Sequence, residues 1–146
     1  MDLQTLIVLI IELIGTIAFS ISGAMVGIRR KMDIFGVLVL GVVTAVGGGM
    51  MIWGKTPSAF VKPIYVEVAV ISALAPFLLL SINKRLVHSK YQALYAGLMF
   101  LMDSVGLGIF TAVGVSTGWT AGYHDNMFFL SFLGVLTGVG GGLLRE

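Results

Sequence analysis

A nine-residue block occurs once in each half of the chain, as GVVTAVGGG at 41–49 and GVLTGVGGG at 134–142, with seven of nine positions identical. Both copies lie inside long apolar stretches. Each glycine in a helix interior costs about 1 kcal/mol relative to alanine, and three in a row leave main-chain carbonyls without side-chain cover. In lipid such a weakness persists only against protein or a water-filled cavity. A chain that builds it twice has to bring both copies to places that use it.

The surroundings fix the fold class. Hydrophobic residues make up 58% of the 146, charged residues only 11%, and the mean hydropathy is +1.03, far outside the range of a water-soluble domain. A bilayer core takes about 20 apolar residues per helical span. Five segments reach or approach that length: 3–28, 34–53, 64–82, 93–116 and 127–144. Their apolar runs are continuous and do not alternate, so helices are predicted and a β-barrel is not. The expected fold is an all-α polytopic membrane protein. The first span is expected to be retained, because no basic residue precedes it and Glu12 interrupts its apolar core, unlike a secretory signal.

Charge is informative by position. The formal sum of +2 is too small for a nucleic-acid partner. Arg29, Arg30 and Lys31 follow the first span and Lys84, Arg85 and Lys90 the third, whereas the alternate loops hold Lys55 and Lys62, then none. The positive-inside rule therefore puts the N-terminus outside the cytoplasm, in a multi-pass cell-membrane protein, and Arg145 on the cytoplasmic side. The expected location is a prokaryotic inner membrane.

The similarity between halves extends upstream of the glycines. Glu12-Leu13-Ile14-Gly15 matches Asp103-Ser104-Val105-Gly106, and Ala18-Phe19-Ser20 matches Ile109-Phe110-Thr111, before a two-residue shift in the intervening loop. The repeating unit is three helices, an odd number, so the second copy enters the membrane in the opposite sense. Residues 1–90 form the first three-helix repeat and 91–146 a second one with two helices. Inverted repeats place a permeation or substrate site near the bilayer midplane.

Two readings of the glycine runs compete. One is close helix packing, for which GVLTG at 134–138 and GAMVG at 23–27 are literal small-residue patterns. The other is a pair of kinks in the second and fifth helices that bare carbonyls and hydroxyls to a central path. The symmetric pairing favours the second, and assigns to the path Thr44, Gly47, Gly48 and Gly49 with Thr137, Gly140, Gly141 and Gly142. Glu12, Glu67 and Asp103 also sit inside spans, where an acid costs about 2.5–3.5 kcal/mol at the centre. Glu12 and Asp103 read either as cation-attracting groups or as acids hydrogen-bonded to a neighbouring helix. Glu67, within a turn of its span's start, reads as the latter.

Other patterns carry less. Residues 49–56 satisfy the phosphate-loop expression GxxxxGKT, but a membrane helix precedes them, their variable positions are bulky and apolar, and Pro57 follows. No nucleotide is expected. His88 and His124 lack metal-ligand partners at suitable spacing, there is no cysteine, and no triad or carboxylate pair suggests an enzyme. No metal or cofactor is expected. Trp53, Trp119, Tyr65 and Tyr123 lie near span ends as interfacial anchors without chemistry, and Pro76 is expected to kink the third span.

Residues 15–49, GTIAFSISGAMVGIRRKMDIFGVLVLGVVTAVGGG, closely resemble the first repeat of the trimeric intracellular cation channels and their prokaryotic relatives, some classed as glycine transporters. The later GVLTGVGGGLLRE resembles the second repeat. The resemblance implies two inverted three-helix units plus one helix, a homotrimer, and a potassium-permeable pore in each subunit beside the kinked second and fifth helices. The chain departs from the pattern twice. Met50-Met51-Ile52-Trp53 stands where an arginine and an aspartate usually follow the first glycine run, and Arg145-Glu146 follows the second without a sixth or seventh helix, so the chain reads as truncated after the fifth. The expected function is passage of monovalent cations, potassium foremost. The alternatives are a carrier for glycine or another small amino acid, and a non-transporting membrane protein.

Overall fold

Two hairpins turn in the same way. The computed structural model describes residues 3–49, 62–82 and 92–145, and these form five helices joined by short turns, without a strand. Helix α1 (Leu3–Arg29) leads to α2 (Ile34–Gly49); α3 (Ile64–Ile82) follows; α4 (Gln92–Thr120) leads to α5 (Met127–Arg145). At the end of α1, Lys31 takes a left-handed φ of 57° while its N–H reaches Ile28 O and that of Met32 reaches Gly27 O. At the end of α4, Gly122 at φ 96° repeats this, with N–H bonds from Gly122 to Trp119 O and from Tyr123 to Gly118 O. Both endings satisfy carbonyls that a helix terminus would leave unpaired. The next helix is capped alike: Asp33 Oδ1 accepts from Gly36 N–H at 2.8 Å, and Asn126 Oδ1 from Phe129 N–H at 3.0 Å. Met32 alone separates the left-handed residue from the first cap, whereas Tyr123, His124 and Asp125 intervene in the second, which locates the two-residue shift.

The same symmetry governs packing. A Cβ on Gly23 of α1 would stand 2.6 Å from Thr44 Oγ1 and 2.9 Å from Leu40 O on α2; on Gly114 of α4 it would stand 2.7 Å from Thr137 Oγ1 and 2.9 Å from Leu133 O on α5. Gly41 and Gly134 each place that position 3.1 Å from a carbonyl, of Ser20 and Thr111 respectively. Between the halves, Gly15 receives Ile109 and Phe110, and Gly106 receives Phe19. The Phe19 and Phe110 rings stack at 5.2 Å with 8° between their planes, so the pseudo-two-fold passes between equivalent residues. This is the inverted repeat in physical form: without side chains at the glycines the helices approach closely, and dispersion over the shared surface holds them in lipid.

Helix α3 packs against α1 and α2. Ser20 Oγ donates to Ala69 O at 2.5 Å, and Ala73, fully buried, fits against Gly41. No helix among residues 92–145 plays this part for α4 and α5. The outer faces carry large apolar side chains, among them Phe100 and Phe128, which are 73% and 82% exposed. By length and composition α1, α4 and α5 can each cross a membrane, and α2 and α3 are shorter apolar helices.

Four of the five predicted spans agree with the helices to within four residues at each end, α4 extending to Gln92 and Thr120. The part of span 34–53 beyond Gly49, with Trp53 and the GxxxxGKT run, lies outside the described residues, as does the linker with His88. Not every glycine is needed for packing. Among the described residues nothing lies within 4 Å of a Cβ placed on Gly108, so Gly108→Ala should be neutral or raise stability by up to about 1 kcal/mol through helix propensity, read as the melting temperature in detergent.

Candidate functional site

The two glycine runs meet where α2 crosses α5. Gly47 lies against Leu144, with Gly140 O at 3.6 Å from its Cβ position, and a Cβ on Gly141 would stand 2.6 Å from Thr44 O and 2.8 Å from the Phe19 ring. Helix α5 continues through Gly140, Gly141 and Gly142 to Arg145, and Gly48 and Gly49 close α2. Thr44 and Thr137 are fully buried, and their hydroxyls donate back to Leu40 O at 2.6 Å and Leu133 O at 2.7 Å. The expectation that these hydroxyls face a wet path is therefore not met in this conformation. Missing side chains at Gly47 and Gly141 serve close approach, and each threonine satisfies its hydroxyl within its own helix, as buried hydroxyls do. Gly142 differs, because no atom of the described residues lies within 4 Å of its Cβ position.

A charged cluster sits at the end of α5. Arg145 Nη1 donates to Asp103 Oδ1 of α4 at 2.7 Å and to Ser22 Oγ of α1. The side chains of Arg145 and Asp103 are 9% and 28% exposed. Ser22 lies seven residues before the end of α1, and Asp103 eleven after the start of α4. At 1.5 Å per residue these partners are about 10 Å and about 16 Å inside the helix ends. Arg145 closes α5 with its charge held against Asp103 and away from solvent. The pair neutralises two charges that would each be costly at that depth, and it ties the last turn of α5 to α1 and α4.

Glu12, the counterpart of Asp103, has a different partner. Its Oε2 accepts from the Tyr65 hydroxyl of α3. The position matching Arg145, three residues past the first glycine run, is Ile52, so this repeat offers no guanidinium there. Tyr65, read from sequence as an interfacial anchor, is buried and holds an acid. Half-buried Glu12 lines two crevices, one of about 350 Å³ shared with Gln4, Lys62 and Tyr65, and one of about 190 Å³ shared with Ser116 and Thr117. Glu67 is exposed in the first turn of α3. Pro76, inside α3, borders an apolar groove of about 300 Å³ with Met25 and Leu98. Among the described residues no three metal-binding side chains come together.

Sequence reasoning missed Ser22 and Tyr65 as site residues. The matched acids were the available signal, since each demanded a buried partner.

A family model described as glycine transporter matches residues 9–81 and 100–146. The UPF0126 membrane protein of Deinococcus radiodurans is 39% identical over 140 residues, covering 93% of this chain and 60% of that protein. The UPF0126 inner membrane protein YadS of Escherichia coli K12 is 36% identical over 140 residues, with 93% and 63% covered. The crystal structure of the trimeric intracellular cation channel orthologue from Rhodobacter sphaeroides superposes with a TM-score of 0.78 at 28% identity, over 95% of this chain and 68% of that one. The chain thus spans about three fifths of the length of these curated relatives. Its paired glycine runs, inverted packing and apolar helices place it with them: it is a multi-pass α-helical membrane protein that belongs to the glycine transporter family and shares the fold of the trimeric intracellular cation channels.

Proposed function

We propose that the chain contributes to a narrow path for monovalent cations, potassium foremost, running beside the α2/α5 crossing within each subunit of a homotrimer. The observation that carries this reading is the crossing of two equivalent glycine runs at the pseudo-two-fold of an inverted repeat, where such folds place their permeation site. Residues 1–90 and 91–146 act as its two repeats. The conformation described is the shut one: Leu144 covers Gly47, and the hydroxyls of Thr44 and Thr137 are turned away. Opening separates α2 from α5 along Gly47, Gly48, Gly49, Gly140, Gly141 and Gly142 and exposes main-chain carbonyls that replace part of the ion's hydration. The Asp103–Arg145 pair marks the inner end of this path, and Glu12, which forms no ion pair among the described residues, draws cations to the outer end.

The test is thallium or potassium flux into liposomes holding the protein. Gly142 has no described residue within 4 Å of its Cβ position, so Gly142→Leu should fold, as its melting temperature checks, and reduce flux by about tenfold; unchanged flux removes the crossing from the path.

A carrier for glycine or another small amino acid is the second reading, favoured by the family's description and by an acid beside two crevices. Saturable glycine uptake with little cation flux supports it, and a protein that does neither is a non-transporting scaffold. The inner-membrane location with an outside N-terminus is part of the proposal. The chain has no cysteine, so Asp125→Cys should react with a membrane-impermeant maleimide on intact cells while Lys31→Cys should not; the reverse pattern inverts the topology.

A further inference from the structure

We infer that Lys62 makes the Glu12 crevice discriminate by valence: its ammonium weakens the field of the carboxylate enough that monovalent cations visit and divalent ones do not lodge. The inference rests on the cation path proposed above, whose outer end Glu12 serves, and assigns to that end a specificity-determining residue. Glu12 and Lys62 line the same crevice of about 350 Å³ between α1 and the start of α3. A space of that size spans about one Debye length at physiological salt, about 8 Å, so each charge is felt at the other. The rest of the lining, between Gln4 and Leu9 on α1 and Tyr65 on α3, carries no formal charge. The two repeats treat their acids differently. Asp103 is in contact with Arg145 at 2.7 Å, whereas Glu12 forms no ion pair among the described residues and is held by the Tyr65 hydroxyl at one oxygen. A contact pair fills the carboxylate and ends its attraction for a passing ion. A cation elsewhere in the crevice lowers that attraction and leaves the acid open.

Valence enters through Coulomb's law. The electrostatic part of an ion's binding free energy scales with its charge, so a change of potential at Glu12 that alters monovalent affinity by some factor alters divalent affinity by the square of it. An exposed charge acting across water changes a neighbouring interaction by about threefold. Removing the Lys62 ammonium should therefore raise monovalent affinity at Glu12 by about threefold and divalent affinity by about tenfold. Carboxylate oxygen suits calcium, magnesium and manganese, and Lys62 is the group in this crevice that repels them. The repulsion matters because an ion crosses a path only where its binding is weak enough for release. A divalent ion held at Glu12 would stay and obstruct the monovalent ions behind it.

The experiment is manganese binding to the full chain in bilayer discs of phosphatidylcholine, read as loss of the free ion's paramagnetic resonance signal, paired with thallium flux into liposomes of the same lipid. Lys62→Gln should bind manganese at least about tenfold more tightly than wild type, and Lys62→Arg, which restores the charge, should bind as wild type does. Adding Glu12→Gln, which keeps an acceptor for Tyr65, to Lys62→Gln should abolish the gain. In the flux assay external calcium should block Lys62→Gln at about tenfold lower concentration than wild type. Lys62 is exposed, so its replacement disturbs no packing, and melting temperatures verify the variants that carry Glu12→Gln. Equal manganese affinity in wild type and Lys62→Gln overturns the inference, as does a gain that appears in Lys62→Arg or survives Glu12→Gln, or equal calcium block of both proteins where both conduct. Manganese affinities that shift as expected in a protein without cation flux refute the path and uphold the control that Lys62 exerts at Glu12.

Discussion

Replacing Arg145 by alanine should destabilise the protein by about 3–5 kcal/mol, because it strands the Asp103 carboxylate at membrane depth without its partner. The bridge is short, Arg145 is nearly enclosed, and the same guanidinium nitrogen also serves Ser22. Asp103→Ala should cost a similar amount by stranding the cation. Removing both charges is different in kind: in Asp103→Leu with Arg145→Met no charge remains to desolvate, and most of the loss should be recovered. Unfolding in mixed micelles, analysed as a double-mutant cycle, measures the coupling. Single-variant losses under about 1 kcal/mol, the size of an exposed pair, would show that water reaches the bridge freely.

The second large effect is expected at the helix crossings. Gly141→Val places a branched side chain where Thr44 O and the Phe19 ring already lie, at 2.6 Å and 2.8 Å from the first added carbon. A carbonyl inside α2 cannot rotate aside, and Phe19 is held by its stack on Phe110. Overpacking of this sort costs about 1–3 kcal/mol and more where backbone blocks relief. Gly106→Val, which also drives into Phe19, should behave alike, while Gly108→Ala, one turn face away, provides the tolerant control. Comparable melting temperatures for Gly141→Val and Gly108→Ala would mean that the crossing is loose.

Much of the fold could be read from sequence because its determinants are local or repeated. The helices follow from continuous apolar runs, and the inversion follows from matching residues such as Gly15 with Gly106 and Phe19 with Phe110; the structure stacks the two rings and sets each glycine against the other half's phenylalanine. The partners of the acids could not be read. Tyr65 is fifty-three residues from Glu12 and Arg145 forty-two from Asp103, and no local pattern encodes such pairing. That Arg145 folds back onto α4 and α1 follows from where Asp103 and Ser22 lie, which the sequence around residue 145 does not encode. The glycine runs were ambiguous for a physical reason. A face without side chains suits a neighbouring helix and a hydrated passage equally well, and only the position of Thr44 O against Gly141 shows which is served in this conformation.

The matching turns after α1 and α4 have a consequence for how the chain is sorted into the bilayer. Their backbones end and restart a helix by the same bonds, so the folded shape of the turn gives the insertion machinery no means to tell one side from the other. What differs is that Arg29, Arg30 and Lys31 crowd the first turn, while residues 121–126 contain no lysine or arginine. In the proposed topology these three cations act together with Lys84, Arg85 and Lys90 after α3, and moving the three to the second turn should weaken the bias toward that orientation.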